Sequence, residues 1–214
     1  MAKEIELKLA LPDAALAAVA AWLDAHGEAR GETTMLNVYL DTPTRDLARA
    51  RAALRLRRKD SQWLQTLKTA GKSGGGLAAR HEWETEIGGE AIELDRFDAE
   101  ARAVVAPLAG RLAPVFRTDF IRRTWIVEQD GERIEAAIDT GTISAPGTAA
   151  TERIQELELE WLPGKGATAD QDEARAEAAL RAFSQRLGHV APLTPMDMSK
   201  AARGYRLTDA SDAN

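Results

Sequence analysis

Residues 3–11 read KEIELKLAL, and the alternation in this stretch decides how the chain folds. Glu4, Glu6 and Lys8 interleave with Ile5, Leu7 and Leu9. Successive side chains of a β-strand point to opposite faces, so one face carries two acids and a base while the other is aliphatic. Alone, such a strand reads as half-buried with its polar face in water. The pattern recurs, however. Arg55 and Arg57 alternate with Leu54 and Leu56, and Thr66 and Lys68 oppose Trp63, Gln65 and Leu67. Arg80, Glu82, Glu84 and Glu86 oppose His81, Trp83 and Ile87, and Glu156, Glu158 and Glu160 oppose Leu157, Leu159 and Trp161.

Between these strands lie helical segments. LPDAALAAVAAWLDAHG starts at Pro12 and stops at Gly27, residues 93–112 read as helical toward Pro107 or Gly110, and residues 170–188 form an amphipathic pattern stopped by Gly188. Residues 45–52 suit a short helix or turn, GKSGGG (71–76) a flexible connection, and QDGE a hairpin turn. If every charged strand face looked outward, the apolar faces would fill one common core and the helices would have nowhere to bury their Ala/Leu stripes. The consistent solution is α+β: a closed eight-stranded antiparallel barrel, helices packed on its outside and charges lining its interior. Trp63, Trp83, Trp125 and Trp161 then all face out, provided Arg122 rather than Arg123 faces in. One domain over 1–207 is expected, with 208–214 as a frayed tail.

Bulk properties narrow the chemistry. The 214 residues are 44% hydrophobic and 29% charged, an ordinary globular composition. No apolar run approaches the roughly 18 residues of a membrane helix, and acids interrupt the N-terminal apolar stretch, so neither a membrane partner nor a secretion signal is expected and the cytoplasm is the expected location. Cysteine is absent, which excludes disulfides, zinc ribbons and thiol nucleophiles, and the three histidines are scattered. With 34 acids against 28 Lys and Arg, the formal charge is −6, which argues against a nucleic-acid partner. AGKSGGG lacks the first glycine of a P-loop, since Thr66 stands in its place.

A tunnel holding both signs of charge has a specific use. Carboxylates two apart on a strand lie about 7 Å apart at the backbone and can converge on a hard divalent cation. Arginine and lysine in the same tunnel would grip phosphate oxygens. Acids for metals together with bases for phosphates is the chemistry of a metal-dependent polyphosphate site.

These residues resemble, in order, the motifs of the CYTH superfamily, the triphosphate tunnel metalloenzymes. Glu4-x-Glu6-x-Lys8 is similar to its ExExK signature, and YLDT (39–42), LRLR (54–57), Thr66-x-Lys68, Arg80-x-Glu82, FIRRTW, IDTG and ELELE resemble its later strands. SKAARGYRL resembles the C-terminal segment of the bacterial inorganic triphosphatase branch, in a CYTH domain without a CHAD domain. The resemblance implies hydrolysis of inorganic triphosphate to pyrophosphate and phosphate with Mg²⁺ or Mn²⁺, two ions with substrate bound. The same-fold alternatives are a class IV adenylate cyclase or a thiamine or nucleoside triphosphatase. A non-catalytic polyphosphate-binding module is a further alternative, and a monomer or homodimer is expected. It assigns Glu4, Glu6, Glu156 and Glu158 as principal metal ligands, with Glu82, Asp139 and Glu160 as further ones, although Glu160 and Glu84 also suit a salt bridge to a tunnel arginine. Phosphate binding falls to Lys8, Arg55, Arg57, Lys68, Arg80, Arg122, Lys200 and Arg203. Glu4, Glu6 and Lys8 form the catalytic group, with Lys8 either a phosphate clamp or a general base. Arg58, Lys59 and Arg123 read as solvated, and His81 as structural.

Overall fold

A computed structural model describes residues 2–69, 71–164 and 172–212. Its strands are β1 (Ala2–Ala10), β2 (Glu28–Asp41), β3 (Ala53–Lys59), β4 (Gln62–Lys68), β5 (Lys72–Gly74), β6 (Leu77–Ile87), β7 (Ala113–Gln129), β8 (Glu132–Ser144), β9 (Thr151–Leu162) and β10 (Thr194–Pro195). The helices are α1 (Asp13–His26), α2 (Asp46–Arg49), α3 (Ala99–Val105), α4 (Glu173–Gly188) and α5 (Lys200–Asp212). Eight strands pair antiparallel in the order β1-β9-β8-β7-β2-β3-β4-β6, and β6 pairs back onto β1 through Glu4 opposite Arg80. The sheet therefore closes, leaving β5 and β10 as short additions on β6 and β1.

Closure works because each strand keeps its alternation. Ile5, Leu7 and Leu9 of β1, Leu157, Leu159 and Trp161 of β9 and Trp125 of β7 are all buried on the outer side, beneath Val19 and Leu23 of α1 and Leu180, Phe183 and Leu187 of α4. A second outer cluster joins Val38, Leu40, Leu54, Leu56 and Leu67 to Phe97, Ala101 and Val105 around α3. Each fully buried Leu or Phe in these layers contributes about 1.5–3 kcal/mol. The β7–β8 hairpin turns on Asp130 and Gly131, both at positive φ, as the Asp-Gly signal requires.

Several local expectations change. The 93–112 segment is broken: Asp98 caps α3 by accepting from the Ala101 N–H at 2.9 Å, and past Val105 the chain tightens into a 3-10 turn at Pro107, which cannot extend an α-helix. GKSGGG is partly ordered, because Lys72–Gly74 pairs with Ala79–Leu77 across a turn at Gly75 and Gly76. The C-terminal segment forms α5, which runs on through Asp212, into the stretch expected as tail; residues 213–214 lie outside the described residues, as do 170 and 171 of the expected fourth-helix segment.

The interior is also not charged throughout. Phe116 and Phe120 share the inward face of β7 with Arg122, Ile143 shares that of β8 with Asp139, and Ile154 shares that of β9 with Glu156. These residues, with Met35 and Tyr39, form an apolar cluster against Ala201, Tyr205 and Leu207 of α5. Helix α5 thus lies across one end of the barrel, and Gly204 is what lets it approach: a Cβ there would stand 2.2 Å from the Phe116 ring.

Candidate active site

The barrel encloses a cavity of about 1500 Å³. From the expected set, Glu4, Glu6 and Lys8 reach it from β1, Arg55 and Arg57 from β3, Lys68 from β4, Arg80 and Glu82 from β6, Arg122 from β7, Glu158 and Glu160 from β9, and Lys200 from α5. Asp139 and Glu156 stand behind this lining, both fully buried, and Arg203 lies beyond them.

The strand register places opposite charges side by side: Lys8 faces Glu158, Lys68 faces Glu82, and Arg122 faces Asp139. Arg122 grips Asp139 with two hydrogen bonds of 2.7 Å and also bonds Glu158. Lys200 Nζ donates to Asp139 Oδ2 at 2.6 Å, Glu156 Oε1 at 2.5 Å and Glu158 Oε1 at 3.0 Å. Arg203 takes the other oxygen of Glu156 at 2.7 Å and Glu152 Oε1 at 2.6 Å. Lys8 Nζ lies 3.1 Å from Glu158 and 3.5 Å from Glu156. Burial opposes charge on Lys8, yet Glu158, Glu6 and Glu156 outweigh it and its pKa sits above the usual lysine value. Burial likewise opposes charge on Glu158, but Lys200, Lys8 and Arg122 hold its carboxyl well below the usual range.

Across the cavity the balance shifts toward positive charge. Arg55 and Arg57 are 9% and 8% exposed, and their nearest carboxylate oxygens are 3.6 Å and 3.8 Å away, beyond hydrogen-bond reach. Arg57 Nε instead donates to the Asn37 amide oxygen at 2.7 Å. Burial, with Arg55 and Arg122 nearby, pulls the Arg57 guanidinium down to about 10, which leaves it charged at neutral pH. The Nε atoms of Arg55 and Arg80 are buried without a hydrogen-bond partner among the described residues. Buried donors in that state invite an anion.

Near Glu4 the opposite imbalance holds. In register, Glu160 faces Glu6 on one side and Glu135 on the other. Glu4 is held by Lys68 at 2.6 Å and Glu6 by Arg80 at 2.6 Å, but among the described residues no cation is in salt-bridge contact with Glu160. Burial, with Glu4 and Glu135 close by, pushes the Glu160 carboxyl up to about 8. Glu84 takes the salt-bridge role, bonded by Thr66 at 2.8 Å and standing 3.6 Å from Arg55.

Among the described residues one acid group brings its oxygens close enough together to receive a metal ion. Asp139, Glu156 and Glu158 bring ligand oxygens within 4.8 Å of one another, but the Lys200 ammonium already sits among them. Glu160 adds an oxygen donor beside Glu4, Glu6 and Glu135, where a hard cation would have to displace the Lys68 ammonium from Glu4 and the Arg80 guanidinium from Glu6.

Among the residues missed from sequence are Glu135 and Tyr39, which line the cavity, and Asn37, which stands behind Arg57. Glu135 was legible, because it shares an alternating face with Asp139 in IEAAID, but Ala137 between them hid the pattern. Asn37 and Tyr39 carry no charge and so gave no signal, although both face arginines in register.

Comparison with known proteins agrees with this geometry. The chain is 32% identical over 213 residues to an inorganic triphosphatase of Haemophilus influenzae, covering 97% of the chain but 55% of that protein, so it spans about half the length of that relative. Among solved structures, the Hippeastrum protein HpAC1, an adenylyl cyclase candidate with a dominant triphosphatase activity, aligns with a TM-score of 0.63 at 20% identity, over 96% of each chain. The PH1819 protein of Pyrococcus horikoshii aligns with a TM-score of 0.58 at 17% identity, over 99% of each chain. These two likenesses concern the fold. Residues 2–188 match the CYTH domain, and with the closed barrel already described, the chain belongs to the CYTH family.

Proposed function

We propose that this chain is a phosphoanhydride hydrolase that splits inorganic triphosphate with water into pyrophosphate and phosphate. One observation carries the reading: one cavity holds Arg55, whose buried Nε has no acceptor among the described residues, and Glu160, which no cation among them contacts. The name of the Haemophilus relative supports the choice of substrate.

Arg55 and Arg57, whose carboxylate neighbours Glu82 and Glu84 stand at 3.6–3.8 Å rather than at hydrogen-bond distance, receive the phosphate oxygens. Glu4, Glu6 and Glu160, with Glu135 beside them, would hold Mg²⁺ or Mn²⁺, which polarises phosphate oxygens and offsets their charge when bound. Lys8, ringed by Glu158, Glu156 and Glu6, keeps its proton on Nζ and acts as a cationic clamp rather than a base. Glu6 and Glu158 flank it and offer acceptors that orient the attacking water. Asp139, Glu156 and Arg203 brace the site from behind. The small-molecule substrate, the cytoplasmic location and the monomer or homodimer expected from sequence stay part of this reading.

The deciding assay is phosphate release from tripolyphosphate, ATP and thiamine triphosphate with Mg²⁺ or Mn²⁺, beside a Glu160→Ala control. Metal-dependent turnover of tripolyphosphate that the control loses is expected. Cyclic AMP from ATP as the main product would replace hydrolysis with cyclisation, and tight binding without turnover would leave a binding module.

A further inference from the structure

Asn37 lies directly opposite Arg57 in the β2–β3 register and directly opposite Thr118 in the β2–β7 register. Its side chain is fully buried. The amide Nδ2 donates to the Thr118 carbonyl at 2.8 Å, and this fixes which end faces Arg57: Oδ1, which accepts from Arg57 Nε at 2.7 Å. With Nε tied back, Arg57 lines the cavity and its Nη1 stands 3.8 Å from Glu84 Oε2.

The chemistry of the tie matters as much as its geometry. Lys68, Arg80, Arg122 and Lys200 each touch a carboxylate at hydrogen-bond distance, so each is largely neutralised where it stands. Arg57 is anchored instead by an amide, which carries no charge and does not titrate. It is also crowded by like charge from Arg55 and Arg122. A carboxylate at position 37 would relieve that crowding, yet it would cancel the charge an anion needs.

We infer that Asn37 is a positioning residue for the anion seat, orienting the Arg57 fork without adding a carboxylate to Glu84, which stands 3.8 Å away. This rests on the triphosphate reading of the same cavity and extends it to a specificity device. Position 37 sets how much positive charge the seat presents, and so how strongly it prefers the highly charged triphosphate over orthophosphate.

The test is calorimetric binding of tripolyphosphate and orthophosphate at several salt concentrations, with wild type, Asn37→Ala, Asn37→Asp, Arg57→Gln and the double variant Asn37→Ala/Arg57→Gln. Thermal melting is followed in parallel. Asn37→Ala is expected to weaken tripolyphosphate binding about tenfold by freeing the fork. Asn37→Asp should weaken it further and flatten the salt dependence, because one cation of the seat is cancelled. In the Arg57→Gln background, Asn37→Ala should cost nothing more, since its effect passes through Arg57. Equal weakening by Ala and Asp, or an undiminished Ala effect without Arg57, overturns the inference and reduces Asn37 to a packing group. The Arg57→Gln comparison keeps this decidable if Asn37→Asp does not fold. Wild type that binds neither anion removes the triphosphate reading and this inference together, whereas variants matching a wild type that does bind remove this inference alone.

Discussion

Lys200 and Glu156 meet at 2.5 Å, both buried, the ammonium delivered by the last helix and the carboxylate by the last barrel strand. The ammonium answers Asp139 and Glu158 as well, so it is the hub of three buried acids. Replacing one partner of such a pair leaves charge uncompensated and costs about 3–5 kcal/mol.

Lys200→Ala should therefore lower the melting temperature by about 10 °C, given about 2–4 °C per kcal/mol for a chain of this size. Adding Glu156→Gln to it should recover part of the loss. A single variant melting like wild type would show that the acids are neutralised in another way.

The seat of α5 gives a second prediction. At Gly204 a Cβ would come within 2.2 Å of the Phe116 ring, and that ring is itself stacked on Tyr39 at 4.5 Å. Gly204→Ala should cost about 1–3 kcal/mol by over-packing, while Ala202→Ser, on the exposed side of the same helix, should be neutral. Denaturant titration of both separates steric conflict from helix propensity, which on its own favours Ala.

The phosphate side is tested through Arg55 and Arg57. Arg55→Ala and Arg57→Ala should each raise KM for tripolyphosphate by about 10–100-fold, the cost of losing a charge-assisted hydrogen bond. Steady-state phosphate release provides the measurement. Arg58→Ala, on the solvated face of the same strand, should leave KM unchanged.

A pH dependence follows from Glu160. Its folded-state carboxyl is pushed up to about 8, against 4.5 as the ordinary value, so between those limits the folded chain holds a proton that the unfolded chain has lost. Stability then falls as pH rises across this window and is fully present only below the unfolded value. In metal-free buffer the melting temperature should drop by several degrees between pH 5 and pH 8.5. Glu160→Gln should flatten that slope, and Mg²⁺ should raise the wild-type melting temperature most at the alkaline end.

The closed barrel was legible because period-two alternation survives in strand after strand, and Glu4, Arg57, Lys68 and Glu158 each fall on the face their spacing indicates. What alternation could not supply was reach. The resemblance of SKAARGYRL assigned Lys200 to phosphate without saying that its ammonium would sit among Asp139, Glu156 and Glu158, because that contact depends on how a helix lies across a barrel end. Alternation also treated inward as charged, and so missed Phe116, Phe120, Ile143 and Ile154, which follow the same faces to the end that α5 covers. Asn37 was invisible for a simpler reason: a lone neutral residue in a strand carries no signal until its neighbour across the sheet is known.

The position of Lys200 in the chain has a consequence for synthesis. Every barrel strand is complete at Leu162, yet Asp139, Glu156 and Glu158 draw part of their counter-charge from Lys200, and Glu156 from Arg203 too, residues made much later. A nascent chain that has released all eight strands therefore holds these three carboxylates with Arg122 and Lys8 alone. The barrel's finished form waits on its final helix, and a message cut short before codon 200 would yield a chain with every strand but short of two of the cations that neutralise its interior.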